Sequence, residues 1–164
     1  MTNWDDRFME LARHISLWSK DKSRKVGCVI VDRDNVVRAI GYNGFPRGLD
    51  DVQEDRHLRP TKYLWTEHAE RNAIYSAARS GVSLSGTKMY LPWFPCVDCA
   101  RAIVQAGIVE LNAIEPDISD PQWGESFAIS RELLEEAGVA IRCRGNTNRR
   151  LAHSGILADD IDET

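Results

Sequence analysis

TEHAERNAIYSAARSGVSLSGTKMYLPWFPCVDCARAIVQA, residues 66–106, carries a helix, a strand and a second helix. Thr66 supplies an N-cap for a helix over 67–80, and Gly81 and Gly86 flank its exit. Lys88 to Leu91 is a short strand, and the Pro92–Pro95 loop leads into a helix over 96–106 that Gly107 stops. Upstream, Trp4, Phe8, Leu11, Ile15 and Trp18 recur at helical spacing, so 4–19 reads as an amphipathic helix with the aromatic stripe in the core. Residues 26–31 and 36–42 read as the strands of a hairpin around Asp32-Arg33-Asp34-Asn35. Residues 43–64, with Gly44, Pro46, Gly48 and Pro60 among many charges, read as a long irregular loop of the kind that carries function. Downstream, 111–114 is a strand, 126–137 a helix closed by Gly138, and 139–143 a last strand. The order α-β-β-α-β-α-β-α-β predicts an α/β fold, a mixed sheet covered by helices on both faces.

The chain has 164 residues, a length that fits one domain. Hydrophobic residues are 43% and charged residues 28%, which excludes a disordered or collagen-like chain. No apolar run approaches ~18 residues, so no membrane partner is expected. The polar, acidic start lacks the basic-then-apolar layout of a signal peptide, and a cytoplasmic location is the expectation. The net charge of −4 argues against a long nucleic acid as partner. Residues 20–62 nevertheless hold ten Lys/Arg against seven Asp/Glu. A small anionic ligand and a solvated basic face both fit that stretch.

Of four cysteines, Cys28 and Cys143 sit in apolar or alternating runs and read as structural. Cys96 and Cys99 form a Cys-x-x-Cys pair at a helix start, where both sulfurs can share one face. His68-Ala69-Glu70 opens the preceding helix. One imidazole and two thiolates are three protein ligands for Zn²⁺, the number that leaves a fourth position open for water. Glu70 can share this site only where directions splay off a helix end, since residues two apart point ~200° apart on a regular helix. There a carboxylate can move protons to and from water. His68, Glu70, Pro95, Cys96 and Cys99 together satisfy the H-x-E…P-C-x-x-C signature of zinc deaminases, in which the Glu is no ligand.

At these residues the chain resembles the cytidine and deoxycytidylate deaminase superfamily, and most of all its dCMP deaminase branch. The resemblance runs from about Ser16 to Cys143 and includes Gly41-Tyr42-Asn43-Gly44-Phe45-Pro46-Arg47-Gly48, His68-Ala69-Glu70-Arg71-Asn72-Ala73-Ile74 and Phe94-Pro95-Cys96-Val97-Asp98-Cys99-Ala100. It implies a three-layer α/β/α fold with a five-stranded mixed sheet, a zinc cofactor, and a homo-oligomer, commonly a hexamer. It also implies that Asn43 contacts the sugar, and it raises regulation by dCTP and dTTP, with Lys20, Arg24 and Lys25 as cations near that segment. Residues 1–144 are then the deaminase domain. The polar, acidic tail 145–164 is either frayed or an arm on a neighbouring subunit. Glu67, Arg71, Trp93 and Cys28 depart from the dCMP pattern.

The expected reaction is hydrolysis of dCMP to dUMP and ammonia, with Glu70 as proton carrier and His68, Cys96 and Cys99 as metal ligands. Ala69 and the Cys96 N–H are candidates to hold the base, Trp93 to stack on it, and Arg47 and Lys62 to bind the phosphate. Cytidine, a modified cytosine nucleotide or another aminopyrimidine is the alternative substrate. A zinc-stabilised binding module, its fourth ligand from His57, Asp98 or Cys143, is the rival from another class.

Overall fold

The computed structural model describes residues 3–145; the tail beyond them, with its predicted arm, lies outside the described residues. Five strands form one sheet in the order β2-β1-β3-β4-β5: β1 (Gly27–Val31), β2 (Val37–Tyr42), β3 (Lys88–Leu91), β4 (Glu110–Ile114) and β5 (Ala140–Arg144). β1 pairs antiparallel with β2 and β3, while β3, β4 and β5 run parallel. The expected mixed five-stranded sheet is therefore present. Every residue of β1 is buried, as an apolar strand between two covered faces must be.

The faces separate by strand alternation. Val29, Val31 and Tyr90 join Phe8, Ala12 and Ile15 of α1 (Trp4–Ser16) on one side. Cys28, Ile30, Met89, Leu91 and Leu111 join residues of α3 (Ala69–Arg79), α4 (Val97–Gln105) and α5 (Gly124–Glu136) on the other. Three layers result. The α1 stripe differs from its sequence reading. The buried face is Phe8, Met9, Ala12 and Ile15, while Trp4 and Trp18 are 52% and 51% exposed. The helix stops at Ser16, so Trp18 leaves the helical register and meets the edge of Tyr42 instead.

Two features of the 43–67 connection place the functional region. The first is order where irregularity was expected: it holds a 3₁₀ turn (Glu54–His57) and a short helix α2 (Lys62–Trp65), and Phe45 stacks on His57 at 4.7 Å. The second is a backbone bridge in which Gly44 and Glu67 exchange hydrogen bonds of 3.0 and 2.8 Å. The bridge keeps Glu67 extended, so α3 begins at Ala69, two residues later than the Thr66 cap implies. Gly41 sets the depth of that helix. A Cβ there would collide with the Ala69 carbonyl oxygen and the Ala73 backbone nitrogen. Gly41→Ala should push the start of α3 off the sheet. A loss of about 1–3 kcal/mol is expected in chemical denaturation, together with reduced metal content; unchanged stability would contradict this packing.

Candidate active site

His68 occupies the N-cap position of α3 and Cys96 that of α4, both with extended backbone. Neither side chain caps its helix; both turn into the space between the two helix starts. Cys99 follows in the first turn of α4, and the Ser126 hydroxyl accepts the Val97 N–H at 3.1 Å, tying that start to α5. The two sulfurs each lie 3.5 Å from His68 Nδ1. Tetrahedral zinc with ordinary Zn–N and Zn–S bonds requires an N···S separation of about 3.6 Å. The three donors thus fit zinc through Nδ1, and they form the one His/Cys/Asp/Glu cluster of metal-binding geometry among the described residues. A fourth protein ligand is not in that cluster: Asp98 is exposed and Cys143 bonds to Arg131.

Glu70 sits one residue inside α3 and is 3% exposed. It lies beside His68 and Cys96, within hydrogen-bond reach of the Cys99 thiol, and burial raises its pKa above the usual carboxylate range. The splay off the helix end that the sequence required is therefore what the chain provides. The Cys99 thiol donates to Cys96, with the His68 imidazole alongside, and Cys96 falls to about 4. The same hydrogen bond to Cys96, and then burial, raise Cys99 well above its ordinary value. Hydrogen bonding to Cys96 lifts His68 to about 8.

These states predict the proton balance of metal uptake. Zinc needs a neutral imidazole and two thiolates. At pH 7 the metal-free site holds a proton on His68 and one on Cys99, while Cys96 is already ionised. Binding should release about two protons, and affinity should climb roughly 100-fold per pH unit below 8 and about tenfold per unit above it. Calorimetry in buffers of different ionisation enthalpy measures this; uptake without proton release would contradict it.

An open cleft is lined by His68, Cys96 and Glu70, while Cys99 is fully buried. Its walls include Tyr63, Trp93, Phe94, Trp123 and Phe127, and Asp21, Arg24, Asn43, Arg59, Lys62 and Ala69 also line it. Arg24 lies over the Trp93 ring at 3.7 Å, a cation–π contact that covers one ring face. Trp123 meets His68 edge-on at 6.1 Å and Phe127 in a stack.

Several sequence assignments change in this light. Asn43 lines the cleft, but its amide is engaged: Oδ1 accepts from Val26 N–H, and Nδ2 donates to the Arg24 carbonyl and to Asp21. Lys62 lines it too, as half of a nearly buried pair with Asp21 at 2.7 Å. Arg47 does not reach the cleft. It donates to Ser76 on the outer side of α3 and lines a separate groove. Arg59 and Trp123, unassigned in sequence, line the cleft instead, and Arg24 faces substrate space. The odd residues Glu67 and Arg71 turn out to be partners, with Glu67 accepting from Arg71 Nε at 2.6 Å.

An imidazole and two cysteine sulfurs at converging helix starts, with a buried carboxylate beside them and an open cleft, are the arrangement expected of a hydrolytic deaminase with a zinc-type centre. The chain belongs to the cytidine and deoxycytidylate deaminase family, whose zinc-binding region matches residues 2–115. The uncharacterized deaminase in the luxG 3′ region of Aliivibrio fischeri is 37% identical over 144 residues, 86% of this chain and 93% of that protein. Deoxycytidylate deaminase of Homo sapiens is 37% identical over 144 residues, 85% of this chain and 78% of that one. The crystal structure of dCMP deaminase from the cyanophage S-TIM5 in complex with dCMP and dUMP is similar at a TM-score of 0.69 and 27% identity, covering 85% of this chain and 95% of that one. No helix among the described residues is long and apolar enough to cross a membrane.

Proposed function

We propose that this chain hydrolyses dCMP to dUMP and ammonia. The observation that carries it is the lining of one cleft, which brings His68, Cys96 and Glu70 together with aromatic walls and the cations Arg24 and Arg59. That layout suits a cytosine base over the donors and a 5′-phosphate at the cations. The relatives named for deoxycytidylate or dCMP, and the dCMP and dUMP bound in one of them, support the same substrate.

His68 Nδ1, Cys96 Sγ and Cys99 Sγ would hold the zinc, which supplies Lewis acidity that makes water acidic near neutral pH. Glu70 takes a proton from the attacking water as its oxygen bonds to C4 of the ring. It passes that proton to N3, collects the second from the same oxygen and delivers it to the amino group. The C4–N bond breaks and ammonia leaves, so the oxygen remains as the C4 carbonyl. Burial suits Glu70 to this exchange, because a carboxyl raised above its ordinary range holds a proton more readily than an exposed one and can return it.

Substrate grip follows from which groups remain available. Both Nδ2 hydrogens of Asn43 are engaged, so only Oδ1 has a lone pair to accept from the 3′-hydroxyl of a deoxyribose. Asp21 neutralises Lys62 and also accepts from Ser23 N–H and Arg24 N–H, so this pair shapes the loop that presents Arg24. Phosphate binding then falls to Arg24 and Arg59, neither of which has a carboxylate partner among the described residues. Ammonia release from dCMP should exceed that from deoxycytidine. Arg24→Ala should raise KM for dCMP about tenfold or more, from loss of a charge-assisted contact, and leave the rate on deoxycytidine near wild type. Equal rates on the two substrates would remove the nucleotide assignment in favour of a nucleoside.

A further inference from the structure

The two helix starts that carry the ligands are joined by a chain of charges outside the cleft. Glu67 Oε1 accepts from the His68 backbone N–H at 3.0 Å and from Arg71 Nε at 2.6 Å. Arg71 reaches on with Nη1 to Asp98 Oδ2 at 3.7 Å, and Asp98 also pairs with Arg101. Asp98 lies between Cys96 and Cys99, and Glu67 precedes His68, so the chain spans all three ligands. Glu67 itself is anchored by its backbone bridge to Gly44. None of the three lines the substrate cleft.

A cation in the first turn of a helix is unfavourable against the helix dipole, and Arg71 holds that place in α3. Its two carboxylate partners answer the charge, and its side chain is only 23% exposed. A planar guanidinium serves two acceptors at once, whereas an ammonium is a point charge. Arg71 is thus a strut between α3 and α4.

We propose that Glu67, Arg71 and Asp98 form a clamp that holds the His68 turn against the Cys96–Cys99 turn and so sets how tightly the centre retains its metal. These are positioning residues, and the proposal rests on His68, Cys96 and Cys99 being the ligands. Partners of metal ligands typically change metal affinity by 10–100-fold.

The test uses the full zinc-loaded chain and follows zinc capture by a coloured chelator. Arg71→Leu and Arg71→Lys should both release zinc about tenfold faster or more than the wild type, and Asp98→Asn should also be faster. Activity lost by each variant in chelator should return with excess zinc. Lys22→Ala, which breaks an exposed pair with Glu54 and touches none of the clamp residues, should release zinc at the wild-type rate. Wild-type release from all three clamp variants would overturn the clamp. So would wild-type release from Arg71→Lys beside rapid release from Arg71→Leu, since charge alone would then suffice. If Arg71→Leu fails to fold, Asp98→Asn at an exposed position still decides. A wild-type chain that binds no zinc would overturn the ligand assignment itself, a result distinct from equal release rates.

Discussion

Glu70→Gln should keep its zinc and lose about 10⁴-fold in kcat, the upper range for removal of a positioned acid–base group. The substitution preserves shape and burial but cannot accept a proton. In the wild type, Glu70 has no Lys or Arg partner among the described residues and is raised by burial, so its proton is available to the ring nitrogen and the leaving amine. The sign of the pH profile follows. The group must start ionised, so kcat/KM falls as pH drops through its raised pKa, at a higher pH than an ordinary glutamate would give. Steady-state ammonia release and zinc per chain are measured together. Turnover within tenfold of wild type in a zinc-loaded Glu70→Gln protein would contradict the role.

Cys99→Ser should abolish both metal and activity. Cys99 is fully buried, and its sulfur lies 3.5 Å from His68 Nδ1. A serine oxygen is shorter, harder and not ionised at neutral pH, so two donors remain where three are needed. Metal content should fall to near zero, and deamination to background. Free zinc at 1,000 times its Kd stabilises a folded chain by about 4 kcal/mol. The wild type should therefore melt higher when zinc is added, while Cys99→Ser should not respond. A variant that still binds one zinc and turns over would show that the donors lie elsewhere.

What the sequence made legible was local. Cys96 and Cys99 are three apart and His68 and Glu70 two apart, so each pair announces itself without the fold. The strands from residue 27 to 31 and 88 to 91 were readable because an apolar run between turns has few other destinations. What stayed hidden depends on distant segments meeting. Trp123 reaches His68 from a loop 55 residues downstream, and no local pattern marks it. Arg47 lies between the motifs in sequence, yet in the fold it donates to Ser76 and lines another groove. Lys62 reads in sequence as a candidate phosphate ligand, but Asp21, 41 residues earlier, neutralises it. Glu67 and Arg71 read as two separate departures from the pattern; their four-residue spacing, which makes side chains neighbours in the helix expected over 67–80, is the clue that they pair.

The most direct measurement is product analysis after incubating the zinc-loaded chain with dCMP in H₂¹⁸O. Hydrolytic deamination predicts dUMP carrying one ¹⁸O at C4, with ammonia released in equal amount and neither formed by Glu70→Gln above background. Unconverted dCMP beside converted deoxycytidine would contradict the substrate. No turnover of either by a chain with zinc bound would contradict the enzymatic role.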